Sequence, residues 1–262
     1  MADDQRGPGG GEIQVSREGR ITRLTFVSPG KKNALNQAMC RALRDALNAA
    51  ASAPDVSVVL LQGADGTFSN GNDASDTSAP PPGEKAGTLQ FIETIAGFPK
   101  PIVAQVDGVA SGLGCTMLLH CDLVYAAEDA RFRLPFINLG LIPEAASTYL
   151  LPRLMGAARA AELALLGEMF SAAHALEVGL VTAVLPPQDL ASHVQSRAET
   201  LAAKPPAAVA RTKALLRRVP QAPVMTRIAE ESEAIAASLA GPEFAEVLLA
   251  FREKRAPDFS GI

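Results

Sequence analysis

Along this chain short extended runs come in twos or threes, a helical run follows, and the pattern then restarts; that rhythm narrows the possible folds more than any other feature. Residues 13–26, IQVSREGRITRLTF, alternate apolar and polar side chains about Glu18-Gly19, which predicts a β-hairpin. After the turn SPGKK, residues 36–51 bring Met39, Leu43, Ala46 and Leu47 round at helical spacing. Residues 56–63, VSVVLLQG, are a continuous β-branched and leucine run, expected of a strand covered on both faces. A helical stretch at 88–98 follows, then the strand 101–106, the turn Asp107-Gly108, a helix over 112–120, the strand 122–127 and a short extended segment at 130–134. A simple βαβ nucleotide fold would alternate single strands with helices. The doubled strands instead predict an α/β chain of stacked ββα units.

From about residue 145 the pattern turns mostly helical, broken by a strand at 180–185, and residues 187–254 read as helical throughout, with prolines at 205, 206, 219, 223 and 242. An all-helical tail on an α/β core is expected to serve oligomerisation. Residues 74–87, ASDTSAPPPGEKAG, contain three consecutive prolines among small polar residues, which predicts an exposed, mobile loop. The polar, glycine-rich start reads as a disordered tail over 1–11, followed by a core over 12–200 and a helical region over 201–262.

Composition excludes several functions. The chain has 262 residues, 48% hydrophobic and 20% charged, with a net charge of -4, which argues against a nucleic-acid-binding surface. No apolar run approaches the roughly 18 residues of a membrane span. The start MADDQRGPGGGE matches neither a secretory signal nor an Arg-rich transit peptide, so the expected address is the cytoplasm. Cys40, Cys115 and Cys121 cannot all pair and fit no zinc spacing, so they are expected as small core residues.

Three segments carry possible chemistry. In GVASGLGCTMLLHCD (108–122) the glycines at the strand–helix junction either let the helix pack on the sheet or let a ligand atom approach the backbone. In the second case the free N–H groups of the first helical turn would hold an oxyanion. A dinucleotide loop is excluded, because GxGxxG requires glycine where Met117 stands, and no P-loop sequence occurs. Asn70-Gly71-Asn72-Asp73 is either an ordinary turn or a second exposed N–H, that of Asn72, while Asp73 is expected to cap the segment after it. Glu144 stands alone in LGLIPEAASTYL. It is either a charge favoured at a helix N-terminus or a carboxyl whose apolar neighbours raise its pKa into the range of a useful base. His120, His174 and His193 have no nearby Ser, Cys or acid at triad-like offsets and are expected to be non-catalytic.

The stretch VDGVASGLGCTMLLHCDLVYAAEDARFRLPFINLGLIPEAASTYLLPRLMG, with the upstream SPGKKNAL and FSNGND and the terminal AFREKRAPDFSG, resembles the crotonase superfamily of enoyl-CoA hydratases and isomerases over residues 13 to about 260. The resemblance implies a spiral of repeated ββα units, a C-terminal helical trimerisation region and an oxyanion hole for an acyl-CoA thioester oxygen. Its two donors would be the backbone N–H groups of Asn72 and Leu113, with Asn70, Gly71, Gly112 and Phe136 around the substrate. It further implies an acyl-CoA substrate, no cofactor apart from the coenzyme A that is part of it, and a homotrimer or dimer of trimers. Lys31, Lys32 and Lys254 would sit near the CoA phosphates, and the loop 74–87 would border the acyl end.

Acyl-CoA hydratases of the family use two glutamates, and the matching positions here hold Thr116 and Phe136. IPEAAS is instead similar to the SPEGCS of the peroxisomal type of Δ3,Δ2-enoyl-CoA isomerase, whose single glutamate falls on Glu144; SPGKKNA, NGND and LPF are similar to that branch too. The resemblance departs at the ends, with no acyl-CoA-binding domain in front and no peroxisomal ending after SGI. The expected activity is isomerisation of 3-enoyl-CoA to 2-enoyl-CoA. The alternatives are a hydratase, a thioesterase or another enzyme of this fold, and a non-catalytic acyl-CoA-binding protein.

Overall fold

The computed structural model describes residues 10–260 apart from 77, 79, 81 and 218–220. A hairpin of β1 (Glu12–Glu18) and β2 (Ile21–Val27) leads into α1 (Gln37–Ser52), β3 (Val58–Gly63) and α2 (Gly87–Ala96). Then come β4 (Ile102–Val106), β5 (Val109–Ser111), the one-turn α3 (Leu113–Thr116), β6 (Leu123–Ala127), β7 (Arg131–Arg133), α4 (Ser147–Met155) and α5 (Ala157–Leu166). The remainder is β8 (Met169–Ser171), α6 (Ala172–Glu177), β9 (Ala183–Leu185), α7 (Pro187–Ala202), α8 (Pro206–Leu216), α9 (Gln221–Leu239) and α10 (Pro242–Glu253).

The strands make two sheets. The larger has the order β1-β2-β3-β4-β6-β9, antiparallel at β1/β2 and parallel thereafter. The smaller has the order β5-β7-β8, and an isolated parallel bridge between Ser69 and Ala110 extends its edge. Each pass of the chain thus lays one strand in the large sheet and a short one in the small sheet: β3 and then Ser69, β4 and then β5, β6 and then β7. This is the stacked ββα arrangement expected from the rhythm of the sequence. Its core lies where α1 and α2 cover the large sheet, with Leu24, Phe26, Leu43, Leu60, Leu61, Phe68 and Phe91 fully buried.

Local differences from the expected elements have physical causes. The helix expected over 112–120 stops as an α-helix at Thr116 and tightens into a 3-10 turn, Met117–His120, which lets the chain reverse into β6 at once. The strand expected from 180 begins only at Ala183, because the Leu180 and Val181 N–H groups both donate to Ala175 O in the turn that ends α6. Among the described residues the helical stretch 187–254 is four helices rather than one run. Pro187, Pro206 and Pro242 each stand at a helix start, where the missing N–H costs nothing. Gly11, placed in the tail from sequence, is buried against Met39 and Ser28; residues 1–9 of that tail lie outside the described residues. The boundary at 200–201 falls inside α7, which packs on β3, β4 and β6 with Leu190, Val194 and Ala198 buried.

In the loop 74–87, Asp76 accepts from the Gln37 N–H at 2.7 Å, while Pro80 and Pro82 are exposed and residues 77, 79 and 81 lie outside the described residues. Cys40 and Cys115 are buried and Cys121 is half-buried, all as free thiols.

Candidate active site

The Ser69–Ala110 bridge brings two loops together. Ser69 N–H donates to Val109 O and Ser111 N–H to Ser69 O, both at 2.9 Å, so the chain leaving β3 runs beside the chain leaving β4. The following glycines allow the contact to continue. Gly71 has φ +86°, and a Cβ there would stand 2.6 Å from Ser111 O and 3.2 Å from Leu113 N. Gly112 has φ 53° and ψ -124°, a conformation essentially reserved for glycine. Both alternatives offered by the sequence hold at once for this segment: its glycines permit close packing, and they leave a backbone donor without an acceptor among the described residues. Among the described residues neither the Asn72 nor the Leu113 backbone N–H has a hydrogen-bond acceptor, although their neighbours do: Gly112 N–H donates to Arg133 O at 3.0 Å and Asp73 N–H to Leu35 O at 2.9 Å.

Glu144 lies against this pair of loops. The Asn72 side-chain Nδ2 donates to Glu144 Oε1 at 2.9 Å. The carboxyl is buried, only 7% exposed, and burial pushes its pKa from 4.5 up to about 7, against the Asn72 hydrogen bond and with the help of the negative charge of Glu231. Near neutral pH it is therefore populated both as a base and as an acid, and the alternative of a solvated helix-end charge is not what the fold provides. The Pro135–Leu139 3-10 turn, with Phe136 buried, ends at Gly140 (φ 65°), and Leu141 N–H donates to Phe136 O at 2.9 Å, so the chain doubles back into Pro143-Glu144. Thr116 is fully buried beneath the glycine junction.

The loop after Glu144 is held from two sides, a feature the sequence did not reveal. Ala145 and Ala146 both have positive φ, 64° and 54°, without being glycine. His120 Nε2 lies 2.8 Å from Ala145 O; since a carbonyl only accepts, Nε2 carries the proton. Burial and the nearby Arg217 and Lys213 charges lower His120 to about 4, against the pull of the Ala145 hydrogen bond, so the ring stays neutral and structural. From α9, Glu231 Oε2 accepts from the Ala146 N–H at 2.6 Å, and its Oε1 accepts from the Thr148 N–H and hydroxyl at 3.0 and 2.5 Å.

The lysines divide. Lys31 Nζ is 2.7 Å from Asp73 Oδ2, and Asp73 Oδ1 accepts from the Ser75 N–H and hydroxyl, so Asp73 caps its own turn. Lys32 is exposed, and its carbonyl accepts from the Asn70 N–H at 2.9 Å, which places both lysines on the rim of the Asn70–Asp73 turn. Lys254 is exposed at the C-terminus of α10, and among the described residues no hydrogen bond or ion pair joins it to the other site residues. His174 and His193 sit away from Glu144, beside Phe170 and Tyr125. Among the described residues no cluster of His, Cys, Asp and Glu is arranged to hold a metal ion.

Residues 16–261 match the family described as enoyl-CoA hydratase/isomerase. The chain is 40% identical to enoyl-CoA delta isomerase 2 of Rattus norvegicus across 79% of this chain, and spans only 54% of that relative's length. It is 34% identical to 2,3-dehydroadipyl-CoA hydratase of Escherichia coli (strain K12), across 95% of this chain and 99% of that one. The solved enoyl-CoA hydratase/isomerase of Pseudoalteromonas atlantica T6c superposes with a TM-score of 0.91 at 40% identity, covering 95% of this chain and all of that one. A spiral of ββα turns with two free N–H donors beside a buried glutamate, and a match over nearly its whole length, place this chain in the enoyl-CoA hydratase/isomerase family of the crotonase superfamily.

Proposed function

We propose that this protein isomerises 3-enoyl-CoA to 2-enoyl-CoA through Glu144, with the thioester oxygen held by the backbone N–H groups of Asn72 and Leu113. The Glu144 carboxylate removes a proton from C2, and the C2–H electrons move toward the thioester carbonyl, giving a dienolate whose oxygen the two N–H groups stabilise. Each such donor is worth roughly 10²- to 10³-fold and the proton transfer about 10²- to 10⁴-fold. The electrons then return, the double bond forms between C2 and C3, and C4 takes the proton back from Glu144, so nothing is consumed.

The observation that carries this reading is the buried Glu144 carboxyl, its pKa raised to about 7, beside two N–H donors that have no acceptor among the described residues. Hydration needs a second acid to divide water activation from C2 protonation. Glu231, the other buried acid near the site, has both oxygens occupied by the Ala146 and Thr148 donors. Thr116 and Phe136 offer a hydroxyl and a ring. The name of the rat relative supports isomerisation, and the full-length match to the E. coli hydratase keeps hydration as the second reading. Apolar side chains exposed on α5 and α10, Leu165, Leu166 and Phe251, support assembly into a homotrimer or dimer of trimers.

The test is to supply 3-enoyl-CoA and follow the absorbance of the conjugated thioester. Rapid formation of 3-hydroxyacyl-CoA from 2-enoyl-CoA, with no isomerisation, would replace this reading by the hydratase one.

A further inference from the structure

We infer that Glu231, from the far end of the chain, is a positioning residue for Glu144: it clamps the Ala145–Thr148 turn and thereby holds the carboxyl where it meets Asn72 Nδ2. This rests on the reading of Glu144 as the acting acid. Ala146 stands where α4 needs an N-cap, and an alanine side chain has no oxygen to give. Ser147 N–H donates to Glu144 O at 3.2 Å and Tyr149 N–H to Ala146 O at 3.0 Å, which leaves the Ala146 and Thr148 N–H groups without a main-chain acceptor. Glu231 supplies it across 85 residues of sequence, taking the Ala146 N–H on one oxygen and the Thr148 N–H and hydroxyl on the other. It is itself only 3% exposed, so no water competes for those bonds.

The turn needs such a clamp. Two successive alanines with φ of 64° and 54° occupy a left-handed region that disfavours any Cβ. The Ala145 carbonyl is fixed by His120 and the Ala146 and Thr148 N–H groups by Glu231, so the strained pair is pinned at both ends and Glu144, immediately before it, inherits the alignment. Release of either bond lets the pair relax and moves the carboxyl.

Glu231 is also a negative charge beside Glu144. The charged and titratable groups around the two acids are Arg227 one turn earlier on α9, which favours the charged form of Glu231, the buried Cys40 thiol of α1 on the Glu144 side, and the buried, neutral His120 on the Ala145 carbonyl. Glu231→Gln keeps the size but presents one oxygen and one amide. Whichever way that amide turns, either Ala146 or Thr148 loses its acceptor, and the charge is gone.

The experiment compares the parent with Glu231→Gln in three ways: steady-state isomerisation, titration of the Glu144 carboxyl by carbon-13 NMR, and amide hydrogen exchange over 145–148. The expected result is kcat lower by about 10-fold or more with KM within about twofold, a Glu144 titration moved to lower pH, and exchange at Ala146 or Thr148 faster by about 10-fold. The titration shift reports the lost charge, whereas kcat and exchange report the lost clamp. A residue that only stabilises the fold would lower the melting temperature and leave kcat where it was. Parent-like kcat overturns the inference. If the parent itself turns over no 3-enoyl-CoA, the isomerase reading has failed, and the exchange over 145–148 in Glu231→Gln still decides whether Glu231 clamps the turn, parent-like exchange overturning it. If Glu231→Gln does not fold, Thr148→Val, which deletes only the hydroxyl bond, is expected to lower kcat severalfold at unchanged KM, with Thr148→Ser restoring it; parent-like kcat in Thr148→Val overturns the inference.

Discussion

Asn72 reaches Glu144 with its side-chain amide, 2.9 Å from Nδ2 to Oε1, while its own main-chain N–H has no acceptor among the described residues. One residue thus serves the acid through its side chain and, in the proposed mechanism, the thioester oxygen through its backbone. The side-chain bond favours the charged carboxylate and opposes burial. Asn72→Ala removes that bond and spares the backbone donor, so the acid limb of the kcat profile is expected to move to higher pH with little change in KM. A pH–rate series checks it, and a limb that stays in place or moves down counts against the assignment.

Glu144→Gln keeps volume and hydrogen-bonding capacity but cannot carry a proton. Isomerisation is expected to fall by about 10²-fold or more, while affinity for a CoA thioester stays within about twofold. Turnover and equilibrium binding on the same preparation separate the two effects. Isomerisation at the parent rate would make Glu144 a structural acid.

Stability against pH offers a readout without substrate. The Glu144 pKa is about 7 in the folded chain against an ordinary 4.5, so the folded state holds a proton that the unfolded state has released. The stabilisation from that proton is complete below about pH 4.5 and is lost as pH rises through about 7, a change of roughly 3 kcal/mol for this group. Glu144→Gln does not titrate. The parent is therefore expected to lose stability relative to Glu144→Gln between pH 5 and pH 8, as urea unfolding at roughly those two values would show.

Gly71→Ala tests the contact between the two loops. A Cβ would stand 2.6 Å from Ser111 O on a residue with φ +86°, so both the loop and the Asn72 N–H must shift. The expected outcome is a loss of roughly 1–3 kcal/mol of stability and a fall in kcat of at least about 10-fold. Unfolding curves and turnover at saturating substrate measure the two separately.

The double variant Lys32→Ala, Lys254→Ala is expected to weaken CoA binding and flatten its salt dependence more than it slows the bound reaction. Titration calorimetry at two ionic strengths checks this, and unchanged affinity removes both lysines from the phosphate site.

Much of the fold was readable because its long elements carry strong periodicity. The spacing of Met39, Leu43 and Leu47 and the run VVLLQG each admit one kind of element, and both formed within two residues of the expected bounds. The three-residue strands Val109–Ser111 and Met169–Ser171 are too short to show a period and exist through pairing with Arg131–Arg133. In the site, Glu144 stood out as a lone acid among apolar residues, and the glycines as backbone positions open to approach. The Asn72 side-chain contact spans 72 residues and the Glu231 clamp 85, and no local pattern encodes either. Glu231 lies in a helix that also carries Glu230 and Glu233, and nothing in the sequence separates the buried acid from those two.

Ser69 and Ala110 face each other across a parallel bridge, and Asn72 and Leu113 each follow three residues later. The two donors leave successive steps of one staircase at the same height, so their separation is of the order of the rise between neighbouring strands, about 4.8 Å. At the next step Phe132 faces Ala110, and the residue three further on is Pro135, which has no hydrogen to offer. The coil therefore supplies a pair of hydrogens at a gauge fixed by main-chain pairing, and leaves the neighbouring carboxyls as the parts free to vary.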